Sequence, residues 1–291
     1  MSDVVVIGGG QAGLAAGYYL RRTGADFIIL DAQPHPGGAW RHVWPSLSLF
    51  SPAQYSSLPG RRMPIPPDGG YPSAADTVSY LTDYEHRYDL PVHRPVTAHA
   101  VRPAGERLLA ETDRGTWRAR VVISATGTWW RPFVPHYPGM RDFHGQQLHT
   151  AAYRGPEPFA GRRVVIVGGA NSGANLGDIV AVPSVRKARD RGVLKAEPMF
   201  THLTRTGIAW ADGTTLDCDA IIWCTGFRPV LSHLAPLKLR GPDGVIPVRG
   251  TQAIGEPRLH LLGYGDWTGH ASATLIGASR TARDMVAAIA S

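Results

Sequence analysis

Two short, wholly apolar runs, Val4-Val5-Val6-Ile7 and Val164-Val165-Ile166-Val167, each end on a glycine. A β-branched run without polar alternation fits a strand covered on both faces, as in a parallel sheet, and the glycine marks a sharp turn. After the first run, residues 12–22 predict a helix with Gly24 as its exit, and Phe27-Ile28-Ile29-Leu30 predicts a second strand ending at Asp31. Residues 33–73, rich in Pro, Gly and Ser, predict mostly loop, and a helix follows over 74–88 with Asp76 at its start. Residues 107–126 predict short strands, and 128–160 a long polar and aromatic connection. Ala220-Ile221-Ile222-Trp223-Cys224-Thr225-Gly226 then repeats the pattern of Val121-Val122-Ile123-Ser124-Ala125-Thr126-Gly127, with Gly115-Thr116 and Gly213-Thr214 ahead of the two copies. Such an internal echo points to two related nucleotide-binding units. The chain closes with a strand near 259–263 and a helix from about 271 to 290.

The predicted architecture is α/β: a Rossmann-like dinucleotide-binding domain with a small Rossmann-like domain inserted in it, at 1–157, 158–228 and 229–291. A chain of 291 residues, 43% of them hydrophobic, has enough interior for both. The formal charge of +7 favours an anionic cofactor or substrate. It does not point to nucleic acid, because the densest basic patch, Arg186, Lys187, Arg189 and Arg191, is broken by Asp190 and reads as a solvated surface. Cys218 and Cys224 make neither a disulfide scaffold nor a four-ligand metal site, and no H-E-x-x-H pair occurs. No apolar run has the length of a bilayer span, and the apolar start is too short for a signal peptide, so a cytoplasmic, membrane-free protein is expected.

Gly8, Gly10 and Gly13 form a G-x-G-x-x-G turn, extended by Gly17. The first glycine permits the turn, the second lets a diphosphate approach the backbone, and the third packs helix against strand. The helix start offers unpaired N–H groups and a favourable dipole. Asp31, about 20 residues past Gly10, suits hydrogen bonds from ribose hydroxyls and opposes a 2′-phosphate. These residues leave FAD and NAD both open. The second turn, Gly168-Gly169-Ala170-Asn171-Ser172-Gly173, replaces the middle glycine with alanine, whose methyl narrows the approach of a phosphate. Residues 179–182 fit either a strand or a helix stopped by Pro183. After Gly173 a helix, a second apolar strand and then basic residues to receive a 2′-phosphate are expected; Arg186, Lys187 and Arg189 are substitutes at best. Binding at the second turn, intact or reduced, stays open.

Gly8–Gly17, Asp31 and Gly37-Gly38-Ala39-Trp40 resemble the FAD domain of flavin-dependent monooxygenases, within the two-dinucleotide-binding-domain flavoproteins. Phe143-His144-Gly145-Gln146-Gln147-Leu148-His149-Thr150-Ala151-Ala152-Tyr153 fits the Phe-x-Gly-x-x-x-His-x-x-x-aromatic signature of that family. Ser124-Ala125-Thr126-Gly127, Cys224-Thr225-Gly226 and Gly263-Tyr264-Gly265-Asp266 are similar to its strand ends and its ribityl-binding Gly-Asp element. The resemblance implies an FAD-binding domain carrying Gly8, Gly10, Gly13, Asp31, Gly38, Trp40, Thr126, Gly127, Gly265 and Asp266. It implies NADPH on Gly168, Asn171, Ser172 and Gly173, and His149 and Tyr153 as catalytic candidates linking the flavin and nicotinamide regions. The implied reaction is oxygenation of a small-molecule substrate by dioxygen through a C4a-(hydro)peroxyflavin.

Taken without the resemblance, His149 fits an ordinary hydrogen-bonded core-edge histidine, Asp266 a helix cap, and Trp40, Trp44, Trp129, Trp130 and Tyr153 plain core. Two other functions fit the same turns: a flavin-dependent NAD(P)H reductase that oxygenates nothing, and an FAD-binding protein with a degenerate nicotinamide site. A disulfide reductase is disfavoured, because no Cys-x-x-Cys pair is present. Substrate choice falls to loops around 40–70 and 128–155, and oligomeric state stays open, a homodimer included.

Overall fold

The computed structural model describes residues 2–168 and 197–290. Asn171, Ser172 and Gly173 of the second turn, residues 179–182 and the basic residues at 186–191 therefore lie outside the described residues. The chain divides into two compact units: Met1–Arg41 with Ser51–Thr128 and Pro229–Ser291, and His42–Phe50 with Trp129–Arg228.

The first unit opens with β1 (Ser2–Ile7), α1 (Gln11–Thr23) and β2 (Phe27–Leu30). Val4 to Ile7 are buried, as an unbroken apolar run demands when parallel neighbours flank it on both sides. α1 starts on Gly10 in an extended conformation and ends on Gly24 at φ +73°, the left-handed exit that glycine adopts without strain. Next comes α2 (Ala74–Arg87), whose cap is Ser73 rather than Asp76. Asp76 is the reciprocal partner: Ser73 Oγ accepts from Asp76 N at 3.1 Å and Asp76 Oδ2 accepts from Ser73 N at 2.8 Å. Tyr80 and Tyr84 of this helix are fully buried and donate to the carbonyls of Arg61 and Pro59, which ties down the preceding loop. β3 (Val92–His93), β4 (Ala98–Ala104), β5 (Arg107–Thr112) and β6 (Gly115–Ser124) complete the first stretch.

In the second unit β7 (Gln146–His149), β8 (Val164–Val167) and β12 (Ala220–Trp223) form a parallel sheet in the order β7-β12-β8. Between β8 and β12 lies an antiparallel meander of β9 (His202–Leu203), β10 (Gly207–Ala209) and β11 (Thr215–Asp217). Phe143, Phe200, Ile208 and Trp223 fill the core of this unit. β7 lies inside the stretch expected to be irregular connection. The His149 signature is thus partly a strand.

The chain returns to the first unit as β13 (Val248–Arg249), β14 (Gln252–Ala253), β15 (Glu256–Leu261) and α3 (Leu275–Ala290). Its main sheet runs β13-β14-β15-β6-β1-β2-β3, and the β4–β5 hairpin continues from β6. α3 begins later than the pattern suggested, because Asp266 Oδ1 and the Gly265 carbonyl hold Ala271 N and Ser272 Oγ in a turn ahead of it. The internal echo is repeated in three dimensions. Ala125 N donates to Ile7 O and Cys224 N to Val167 O, each at 2.7 Å, and Gly8 and Gly168 follow those strands at φ +112° and +128°. A Cβ at Gly8 would lie 2.4 Å from the Ala125 carbonyl oxygen, and one at Gly168 2.4 Å from that of Cys224. No helix among the described residues is long and apolar enough to cross a membrane.

Candidate active site

Seven of the residues expected to bind the first cofactor meet around the first turn of α1. Gly13 packs against Gly8, where a Cβ would fall 1.9 Å from the Gly8 carbonyl oxygen. Gly38, at φ +55°, places its Cα side against Gly10: a Cβ there would lie 3.0 Å from Gly10 Cα. Trp40 Nε1 donates to Gln11 Oε1 at 2.9 Å, and Gln11 Nε2 donates to Ala273 O at 2.6 Å. Gly263 abuts Ala12, bringing the Gly265–Asp266 turn to the same helix end. In front of Gly10 the space is open among the described residues: a Cβ added there meets only Gly38 Cα, at 4.0 Å. The α1 start has no side-chain cap and no acid in its first turn. Bare amides, positive dipole and a side-chain-free approach fit the diphosphate of a dinucleotide.

Asp31 ends β2 on the same side and is 5% exposed. Its Oδ2 accepts from Arg94 Nε at 2.8 Å, and its Oδ1 accepts a long 3.3 Å bond from Gln33 N. The outer nitrogens of Arg94 fork onto the Glu85 carboxylate of α2, Nη2 to Oε2 at 2.7 Å. The Glu85 and Asp31 carboxylates hold the Arg94 guanidinium above its usual range against the opposing effect of burial.

A second buried network lies behind Thr126 and Gly127. Ser124 Oγ is 3.0 Å from His233 Nε2 and 2.7 Å from Tyr264 OH, and Tyr264 OH is 2.8 Å from Thr126 Oγ1. Thr126 Oγ1 in turn donates to Val230 O at 2.6 Å. One orientation serves every donor: His233 Nε2–H to Ser124, Ser124 to Tyr264, Tyr264 to Thr126, Thr126 to Val230. Burial pushes His233 down to about 4, so it stays neutral. Asp266 is exposed, with Oδ1 accepting from Ala271 N at 3.0 Å.

In the second unit, His149 Nδ1 accepts from Ala151 N at 3.0 Å, which leaves Nε2–H to donate to Gly226 O at 2.9 Å. Burial lowers its pKa, so the ring is neutral with both nitrogens engaged. It stands edge-on to Phe227, which stacks on Trp129 at 5.1 Å. Tyr153 stacks on Phe159 and meets Trp44 edge-on at 5.5 Å; burial raises its phenol pKa. A cavity of about 830 Å³ is bounded by Tyr137, Met140, Gln147, His149 and Trp223 among others. Gln147 Oε1 and Trp223 Nε1 are buried without a partner among the described residues. Among the described residues no cluster of His, Cys, Asp and Glu suits a metal.

Two residues of the first site escape the sequence pattern. Gly9 fills the free position of G-x-G, yet its Cβ would lie 2.7 Å from Asp31 Oδ2 and 2.9 Å from Arg94 Nη2. The run of three glycines was the available signal. Arg94 had none, because only the pairing of β2 with β3 brings it to Asp31.

Comparison with known proteins agrees with this geometry. A family profile described as pyridine nucleotide-disulphide oxidoreductase matches residues 5–181. The structure of a flavin-containing monooxygenase from Stenotrophomonas maltophilia is 49% identical, with a TM-score of 0.95 over 99% of this chain and 98% of that one. The uncharacterized oxidoreductase CzcO-like of Geobacillus kaustophilus (strain HTA426) is 36% identical across 88% of this chain and 91% of its own. Senecionine N-oxygenase of Tyria jacobaeae is 26% identical across 90% of this chain and 67% of its own. The chain belongs to the pyridine nucleotide-disulphide oxidoreductase family and, within it, to the flavin-containing monooxygenases.

Proposed function

We propose that the chain oxygenates a small molecule at a nitrogen, a sulfur or a carbonyl-bearing carbon, with FAD held by the first unit and NADPH by the second. As a flavin-containing monooxygenase it is an FAD-dependent oxidoreductase that draws on NADPH and dioxygen. The observation that carries the finer reading is the convergence of Gly10, Gly38, Trp40 and the Gly263–Asp266 turn on the bare first turn of α1. Bound there, FAD supplies the redox chemistry that connects NADPH to dioxygen.

The chain's own part is binding and orientation. The α1 amides receive the diphosphate, Asp31 the sugar hydroxyls and Asp266 the ribityl chain, while Gln11 fixes the Trp40 ring. His149, neutral and bonded at both nitrogens, serves as a positioning residue that holds the Gly226 turn. Tyr153 contributes an aromatic wall. A cytoplasmic location belongs to the same reading, supported by two free cysteines and by the lack of a membrane-length apolar helix among the described residues.

Anaerobic mixing of the FAD-loaded protein with NADPH, and separately NADH, tests the assignment. Rapid loss of oxidised-flavin absorbance is expected with NADPH, and in air an oxygenated product from a sulfide or amine. Bleaching with oxygen uptake but no product would make the protein a flavin reductase. No bleaching at saturating coenzyme would overturn the placing of NADPH on the second unit.

A further inference from the structure

The Glu85–Arg94–Asp31 cluster has a geometry that stability alone does not explain. All three side chains are 10% exposed or less, and a buried ion pair is by itself weak support for a fold. We infer that Arg94 is a positioning residue for the adenosine half of the flavin site, acting through Asp31; this rests on the FAD assignment above.

Arg94 occupies Asp31 Oδ2 through Nε, in a direction fixed by the two-toothed grip of Glu85 on the outer nitrogens. Oδ1, engaged among the described residues only by the long bond from Gln33 N, keeps lone-pair capacity for sugar hydroxyls. The same guanidinium lies under the glycine turn, because Arg94 Nη2 and Asp31 Oδ2 fill the volume where a Gly9 side chain would stand. Turn and carboxylate are therefore held in one fixed arrangement by a residue that needs no contact with the cofactor. Two carboxylates share one guanidinium, so the cluster keeps a net negative charge. That charge welcomes hydroxyl donors and opposes a 2′-phosphate.

The test is a double-mutant cycle on the full-length protein, reading the FAD dissociation constant by flavin fluorescence. Arg94→Met and Asp31→Ala are each expected to raise it about 10- to 100-fold, by analogy with loss of an outer partner that orients a ligating group. The double variant should be no weaker than the weaker single one, because Arg94 has nothing to act on once Asp31 is gone. Arg94→Lys, which keeps the charge but not the fork, should fall between wild type and Arg94→Met. Multiplying effects in the double variant, or a folded Arg94→Met that binds FAD like wild type, overturns the inference. If Arg94→Met does not fold, Glu85→Gln replaces it in the cycle, with weakening expected only where Asp31 is present. Wild-type protein that takes up no FAD would instead overturn the flavin assignment itself.

Discussion

Gly9 shows how much a consensus letter x can hide. The pattern asks for glycine at Gly8, Gly10 and Gly13, and the structure gives each a reason: a carbonyl in the way, an open approach, a strand packed close. At Gly9 the obstacle comes from far along the chain, with Asp31 Cβ 2.8 Å and Arg94 Nη2 2.9 Å from where a methyl would sit. The aspartate Cβ cannot swing away as a side-chain tip can. Gly9→Ala is therefore expected to cost about 1–3 kcal/mol as overpacking. It should also strip FAD from the protein during gel filtration. Normal flavin content together with an unchanged thermal midpoint would show that the cluster yields freely. At this scale the first site was largely legible, since its glycines and acid are local to one strand–turn–helix. Arg94 was not, because a residue supplied by a neighbouring strand leaves no mark in the segment it serves.

Elements were legible where their periodicity was strong. β1, α1 and β2 follow the apolar pattern, and the helix expected over 74–88 is α2, Ala74–Arg87, although its cap is Ser73 and not Asp76. β7 was hidden because Gln146-Gln147-Leu148-His149 is short and poor in β-branched residues, so its strand character comes from pairing with β12. Two elements of the first unit carry buried histidines: His260 on β15, bonded to Thr251 Oγ1 at 2.9 Å, and His233 in the turn Ser232–Leu237. Burial pushes both down to about 4. In the unfolded chain they titrate near 6.5, so between those values the unfolded state takes up protons that the folded state refuses. Stability should thus be steady above pH 6.5 and fall as pH drops toward 4, by about 3 kcal/mol per histidine once complete. Urea unfolding at pH 7.5, 5.5 and 4.5 measures this. His260→Gln should flatten the decline relative to wild type, and an identical slope in both would refute it.

At the scale of the whole molecule, the sequence echo at 121–127 and 220–226 pointed to two related units with the second at 158–228, and the chain divides into two compact units whose second takes in Trp129–Arg228. What it could not supply is which loops join which unit: His42–Phe50 belongs with the second although its neighbours on both sides belong with the first. Because the residues proposed to hold FAD lie in the first unit, FAD removal should act there. FAD at about 100 times its dissociation constant is expected to add about 2.7 kcal/mol to the stability of that unit. Scanning calorimetry of the full chain with and without FAD checks it, with Asp31→Ala as the control that should show little shift. A transition that FAD leaves in place in the wild type would contradict the assignment.

The bonds from Thr126 Oγ1 to Val230 O and from Val230 N to Gly127 O have a consequence for how such a chain tolerates change. Within the first unit they join the two ends of the chain segment between Thr128 and Pro229. A loop whose ends are already stapled loses little more entropy when it is lengthened or trimmed, roughly 0.6 kcal/mol for each doubling. Residues can thus be deleted from or added to the guest segment while β6 and β15 stay in register. The guest segment is free to diverge in length, and the host unit need not follow.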